Sequence, residues 1–450
     1  MLRRFIGIAL VTAALAGCGQ QGAQQKMPPP VVGFVVIKTQ PISLTAELAG
    51  RTDPFAVSQV VPQVAGIIKQ RLFTEGSLVA AGQALYQIDP APYQATYDSA
   101  MATLADKQQY LRAFGRRHTE KIAPMTADTV FWIASFTKLV TSVVALQMVE
   151  EGVISLEQPV ASVRPDFADL AILDGFDPTG APRLRQAKDA PTIRHLLTHT
   201  SGLGYAFMDA DLARYAELKK VAPGGGHLLP RRFEAGVRWQ YGASTDWLGM
   251  VIEGVTGQGL DAVFQRRIFD RLGMTDTTFV PDAAQKARSA AMHARLPDGD
   301  AAPIDFALAP PPNPNLGGGG LYSTASDFMR LLRALLDGKI LGDASRAALF
   351  ENQVGDLEAG VLASSMPSFT NPYDAMPGRP KRWSLGMLIN PEPGPDGRAA
   401  GSAAWAGLAN CYYWVDPSRG LAAIILAQVL PFADRKVLGL FSAFERAIYA

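Results

Sequence analysis

From Leu139 to Met148 this chain reads as a helix that is apolar almost all round: Leu139, Val140, Val143, Val144, Leu146 and Met148 leave little polar face for solvent. Such a helix must be buried, so the fold has to wrap around it. Length permits this, because 450 residues can hold a large core and two structural units. Glu150-Glu151-Gly152 predicts where the helix stops, with the glycine suited to a left-handed cap. At its mouth stands Ser135-Phe136-Thr137-Lys138. Residues i and i+3 share a helix face, which sets the Ser135 hydroxyl beside the Lys138 amine. A serine paired with a lysine can become a nucleophile without a histidine. The first turn adds the positive end of the helix dipole.

Charge excludes one class of partner. Lys and Arg number 42 against 41 Asp and Glu, a net charge of +1, so nothing points to nucleic acid. No apolar run after the N-terminus reaches the roughly 20 residues of a membrane span. The N-terminus reads as an export signal: Arg3 and Arg4 precede an apolar stretch over 5–16 that is too short to span a bilayer. It closes on Leu15-Ala16-Gly17-Cys18, which resembles the bacterial lipobox. The resemblance implies a signal peptide over 1–17 and a lipidated Cys18, the link to a membrane. Gly19 after that cysteine implies the periplasmic side of the outer membrane; an unused signal would leave the protein cytoplasmic. Residues 18–30 are a polar, proline-rich tether. Cys411, the other of the two cysteines, lies in an aromatic strand-like run and reads as a small buried apolar residue. No disulfide framework is expected within one chain.

Between 31 and 105 the pattern is short strands, predicted over 31–38, 42–49 and 58–68. Val61-Pro62-Gln63-Val64-Ala65-Gly66-Ile67-Ile68, Glu75-Gly76-Ser77-Leu78-Val79 and Gly82-Gln83-Ala84-Leu85-Tyr86-Gln87-Ile88-Asp89-Pro90 resemble the periplasmic adaptor (membrane fusion) proteins of tripartite efflux pumps. That resemblance implies an incomplete lipoyl-like β fragment, with 91–105 opening a helix of an α-hairpin. The descending helix, the second lipoyl half and the barrel of that family are absent, which argues against efflux-pump partners.

Near Asp106 the character changes. Tyr110-Leu111-Arg112-Ala113-Phe114-Gly115 reads as a strand, 124–129 as a turn, and 130–134 leads into the Ser135 helix. Phe233-Glu234-Ala235-Gly236-Val237-Arg238-Trp239-Gln240-Tyr241 then approaches an apolar helix over 246–255. The strand-like 401–408 carries Trp405-Ala406-Gly407 before further strands at 412–416 and 421–427. Together these resemble the β-lactamase and penicillin-recognising serine hydrolases, and within them the family VIII carboxylesterases related to class C β-lactamases. The resemblance implies an α+β fold over 106–450, an antiparallel sheet flanked by helices with a helical subdomain, and a site between them. It departs from the family in three places. Alanine (Ala235) replaces a usual proline, Tyr241-Gly242-Ala243 lacks an asparagine, and the family's first helix and strand are not recognisable. The missing strand predicts an unpaired sheet edge.

The implied site joins Ser135, Lys138 and Tyr241. A phenol near pKa 10 is a poor base alone; a lysine ammonium beside it stabilises the phenolate and makes proton transfer within the cluster feasible. Trp405 stands where β-lactamases carry a lysine, and an indole, with an apolar wall and one N–H, suits neutral esters. The oxyanion hole is expected from the backbone amides of Ser135 and Leu408, with Trp405 and Gly407 lining the substrate. His195 and His199 have zinc-like spacing but no glutamate base beside them, and resemble a structural signature of this family. Gly317-Gly318-Gly319-Gly320 lacks a phosphate-loop lysine and bends into a helix capped by Thr324-Ala325-Ser326-Asp327. No metal or cofactor is expected. The expected function is hydrolysis of a small, short-chain carboxylic ester through an acyl-enzyme. The alternatives are β-lactamase or penicillin-binding peptidase activity, an efflux-pump adaptor, and an inactive chimera.

Overall fold

The computed structural model describes residues 67–90, 110–222, 225–306 and 316–450. The expectations for Cys18, the 1–17 signal, the 18–30 tether, the strands at 31–38 and 42–49, and the 91–105 helix lie outside the described residues. The chain divides into two compact units, Met1–Asp89 and Pro90–Ala450. In the first, β1 (Ile68–Arg71) and β2 (Tyr86–Ile88) pair antiparallel with Ile68 opposite Ile88.

The second unit is built around the helix the sequence demanded. β3 (Phe131–Trp132) leads through a single tight turn, Ala134–Phe136, into α1 (Thr137–Glu150). Every residue from Thr137 to Met148 is buried, and Gly152 ends the helix at φ 70° as expected. Phe136 anchors its start, its ring 4.7 Å from both Phe328 and Tyr413. The helices Ile193–Leu197, Ala210–Lys219, α2 (Ser244–Thr256) and Leu260–Phe264 form the helical subdomain. β4 (Tyr322–Ser323) pairs with β3. It runs into α3 (Ala325–Leu336), whose N-cap is Thr324: its Oγ1 accepts from the Asp327 amide at 3.2 Å.

The main sheet follows in chain order as β5 (Arg382–Trp383), β6 (Leu388–Ile389), β7 (Ala403–Gly407), β8 (Cys411–Asp416) and β9 (Leu421–Ile425), all antiparallel. Alternation along β7 divides its two faces. Ala404 packs with Trp414 against Phe441, Phe444 and Ile448 of α4 (Arg435–Tyr449), while Trp405 points the other way. Cys411 is fully buried, and burial pushes its thiol up to about 12.

One expected strand does not form. Residues 110–115 are irregular and mostly solvent-exposed, Phe114 at 77%. A strand needs a partner along its length to satisfy its backbone, and this segment meets one at its end, where the Gly115 carbonyl accepts from the Met125 amide at 2.9 Å. The sheet accordingly ends at β9, with no further strand paired to it among the described residues; α3 packs against that strand instead.

The segment leading to Tyr241 is pinned by a buried cation. Arg231, 1% exposed, donates to both oxygens of Asp189 at 2.7 and 2.6 Å and to the Ser201 carbonyl at 2.8 Å. Burial alone would raise the Asp189 carboxyl. Hydrogen bonds from Arg231 and the Ala235 amide, with the guanidinium charge, win and hold it well below the usual carboxylate range. A depressed folded pKa stabilises the fold above the unfolded value of about 4, and that stability is lost as pH falls below it. Asp189→Asn is therefore expected to cost stability at pH 7 and to cost progressively less as pH falls below about 4, with part of the loss remaining at pH 3 because the folded carboxyl is still ionised there. Denaturant unfolding at the two pH values checks this; an equal loss at both would refute it.

Candidate active site

Exposure alone singles out one residue of the buried run. From Thr129 to Met148 every residue is buried except Ser135, which is half-buried. The cause is local. Ala134 takes a left-handed conformation at φ 44°, unusual for a residue with a side chain. Thr137 Oγ1 ties the corner by donating to the Ala134 carbonyl at 2.6 Å. Ser135 is thereby turned out at the head of α1 while its neighbours stay in the core.

Lys138 follows on the same face, 2% exposed, and donates to Ser135 Oγ at 3.4 Å. Its two shorter bonds go elsewhere: to the Tyr205 hydroxyl at 3.0 Å and to the Gly318 carbonyl at 2.6 Å. Tyr241 is present as the sequence predicts, but the ammonium faces its ring, 4.7 Å from the centroid. The Tyr241 oxygen instead accepts a hydrogen bond from Trp405 Nε1 at 3.1 Å. Trp405 thus gives its one N–H to the tyrosine, where it stabilises negative charge developing on that oxygen, and its ring remains as an apolar wall. Gly407 stands where a Cβ would come within 2.5 Å of the Ile133 carbonyl oxygen. Only glycine lets β7 lie this close to the turn that carries Ser135. Leu408 follows at the end of the strand, half-buried.

Behind Tyr241 lies an aromatic floor. His199 sits 4.9 Å from its ring and 5.2 Å from Trp383, and Trp383 meets Trp405 edge-on at 4.6 Å. Burial, then the nearby Lys138 charge, pushes the His199 imidazole well below its ordinary value, so it is neutral. It does not share a helix face with His195, because that helix stops at Leu197 and His199 is left-handed at φ 56°. His195 caps the helix instead, its Nδ1 accepting from the Thr192 amide at 3.0 Å.

Three residues of the site escape sequence reasoning: Tyr205, Asp246 and Gly318. The Tyr205 hydroxyl donates to Asp246 Oδ2 at 2.9 Å, and the Gly318 amide donates to Asp246 Oδ1 at 2.8 Å. Burial, then the charges of Asp246 and Tyr241, raises the Tyr205 hydroxyl well above its ordinary value, so it keeps its proton. A Cβ on Gly318 would collide with both Asp246 oxygens at 2.6 Å, which is why the run contains glycine here. The signal was that run itself, a sign of close backbone approach. A cavity of about 270 Å³ is lined by Tyr373, Ala404, Trp405, Ala406, Tyr412 and Phe441; Ser135 and Lys138 do not line it.

The family model described as Beta-lactamase matches residues 91–444. The chain is 32% identical over 366 residues to monacolin J acid methylbutanoyltransferase of Aspergillus terreus, covering 76% of this chain and 88% of that one. It is 31% identical over 345 residues to lovastatin esterase of Penicillium rubens, covering 72% and 86%. Among solved structures, unliganded simvastatin synthase (LovD) of Aspergillus terreus superposes with a TM-score of 0.68 at 29% identity, covering 81% of this chain and 99% of that one. A matched fold, a family model over most of the length and these relatives lead to one conclusion: the chain belongs to the Beta-lactamase family and is an enzyme of the β-lactamase superfamily.

Proposed function

We propose that this enzyme cleaves short-chain carboxylic esters through an acyl-enzyme on Ser135. The observation that carries the reading is the half-buried Ser135 Oγ at 3.4 Å from the Lys138 amine, alone in an otherwise buried run. Ser135 Oγ attacks the ester carbonyl and its proton passes to the Lys138 and Tyr241 cluster. The C–O bond to the leaving alkoxide breaks as the cluster returns the proton to that oxygen. Water then repeats the sequence on the acyl-serine and releases the acid. The amides of Ser135 and Leu408 hold the negative oxygen in both halves.

Two observations bear on substrate. Trp405 stands where the resemblance puts the β-lactamase lysine, and the wall its ring makes is neutral and apolar, which favours esters over anionic β-lactams. Relatives named as acyltransferases favour a second reading, in which an alcohol replaces water as the acyl acceptor. The test is turnover of p-nitrophenyl butyrate beside a chromogenic cephalosporin, with and without added alcohol. Mass spectrometry of the quenched reaction should find a butyryl group on the Ser135 peptide, absent in Ser135→Ala. Faster cephalosporin turnover, or an acyl group on another residue, would overturn the proposal.

A further inference from the structure

Lys138 Nζ has three hydrogen-bonding positions, and the structure accounts for all of them. Tyr205 and Gly318 each offer it an oxygen, at 3.0 and 2.6 Å, and Ser135 Oγ takes the third direction at 3.4 Å. Both acceptors are held by one carboxylate, Asp246, 8% exposed, which receives the Tyr205 hydroxyl and the Gly318 amide. A carboxylate oxygen only accepts. The Tyr205 proton must therefore point at Asp246, which leaves a Tyr205 lone pair facing Lys138.

We propose that Asp246 and Tyr205 are a positioning pair that aims Lys138: with the Gly318 carbonyl they claim two of its N–H groups, so that its exchangeable proton, or its lone pair once that proton has left, faces Ser135 alone. The inference rests on the acyl-enzyme reading of Ser135 and adds the device that orients its base. Neither residue touches the reacting atoms. Asp246 acts on both acceptors at once, so a single substitution removes the aim while leaving Ser135, Lys138 and Tyr241 in place. In Asp246→Asn the amide can still accept from Gly318, but its NH₂ group faces Tyr205 as a donor. The Tyr205 hydroxyl then turns its own proton toward Lys138 and competes with Ser135 for the lysine lone pair.

The charge effect has a definite sign. The titratable groups facing the Lys138 amine are Tyr205 and Asp246 from the helical subdomain, Tyr241 beneath it, and His199, with Tyr413 of β8 behind Tyr241. Asp246 is the carboxylate of that set. Removing a negative charge two hydrogen bonds from the amine favours proton loss from the cluster, so activity should survive to lower pH. At this separation the acid limb should move down by about one to two pH units.

The experiment measures p-nitrophenyl butyrate hydrolysis from pH 5 to 10 for the full chain, Asp246→Asn and Tyr205→Phe. Rates are taken per serine titrated with a fluorophosphonate, and thermal unfolding is followed in parallel. The expected result for Asp246→Asn is a kcat about 30-fold or more below the parent, KM within about threefold, and an acid limb shifted down. Tyr205→Phe keeps the ring stacked 5.0 Å from Phe207 and should lose about tenfold in kcat. It carries the test if Asp246→Asn does not fold. Unchanged kcat per titrated serine with an unmoved acid limb, in variants of a parent that labels on Ser135, would overturn the positioning role alone. A parent that does not label on Ser135 would overturn the acyl-enzyme reading and this inference with it.

Discussion

Replacing Lys138 with methionine is expected to lower kcat/KM for p-nitrophenyl butyrate by about 10³–10⁴-fold, or about 4–5 kcal/mol of transition-state stabilisation. Methionine matches the length and volume of the lysine stem, so the packing of α1 should survive. What disappears is the group that takes the Ser135 proton. The effect on folding should be far smaller. The ammonium is buried against neutral oxygens, so its removal relieves a desolvation cost while leaving the Gly318 carbonyl and one Tyr205 lone pair without a donor. These terms oppose each other, and unfolding free energy should stay within about 2 kcal/mol of the parent. Steady-state kinetics and denaturant unfolding on one preparation measure both. Loss of activity that merely tracks loss of folded protein would count against a catalytic lysine, as would a kcat/KM within tenfold of the parent.

A single methyl group at Gly407 should be nearly as damaging by a different route. A Cβ there would lie 2.5 Å from the Ile133 carbonyl oxygen and 3.3 Å from Cys411 Cβ. The first contact is with backbone at the head of the Ser135 turn, which cannot rotate away, so β7 must move. Movement carries the Leu408 amide off the position where an oxyanion would form. Loss of one such donor costs about 10²–10³ in kcat, and overpacking a core of this kind adds about 1–3 kcal/mol of destabilisation. KM should change little, because the negative oxygen exists only in the transition state. Gly407→Ala with kcat within threefold of the parent would remove Leu408 from the proposed oxyanion hole.

The contrast between these residues and Asp246 explains what could be read from sequence. The Ser135 turn, α1, its Gly152 end and the Thr324 cap are local patterns, where spacing along the chain is spacing in space. Trp405, Gly407 and Tyr241 were legible through a resemblance spread over hundreds of residues. Tyr205 was not, because what distinguishes it is contact with Lys138, 67 positions away. Asp246 stands near a helix start with nothing local to mark it, and its two partners lie 41 and 72 positions off. The 110–115 segment failed for the converse reason. Its composition suits a strand, but strands are made by neighbours along their whole length, and this segment meets one at its end, through the Met125 amide on the Gly115 carbonyl.

The unbroken burial of α1 also governs how this enzyme fails when heated. A helix with no solvent-facing side cannot fray or detach without opening the core around it, so its amides should be among the last to exchange with deuterated solvent. Lys138 rides on its first turn, and Ser135 on the tight turn that leads into it. Partial openings elsewhere, in surface loops or at the chain's ends, should therefore leave the chemistry running, and residual activity during thermal inactivation should report the population of globally folded molecules.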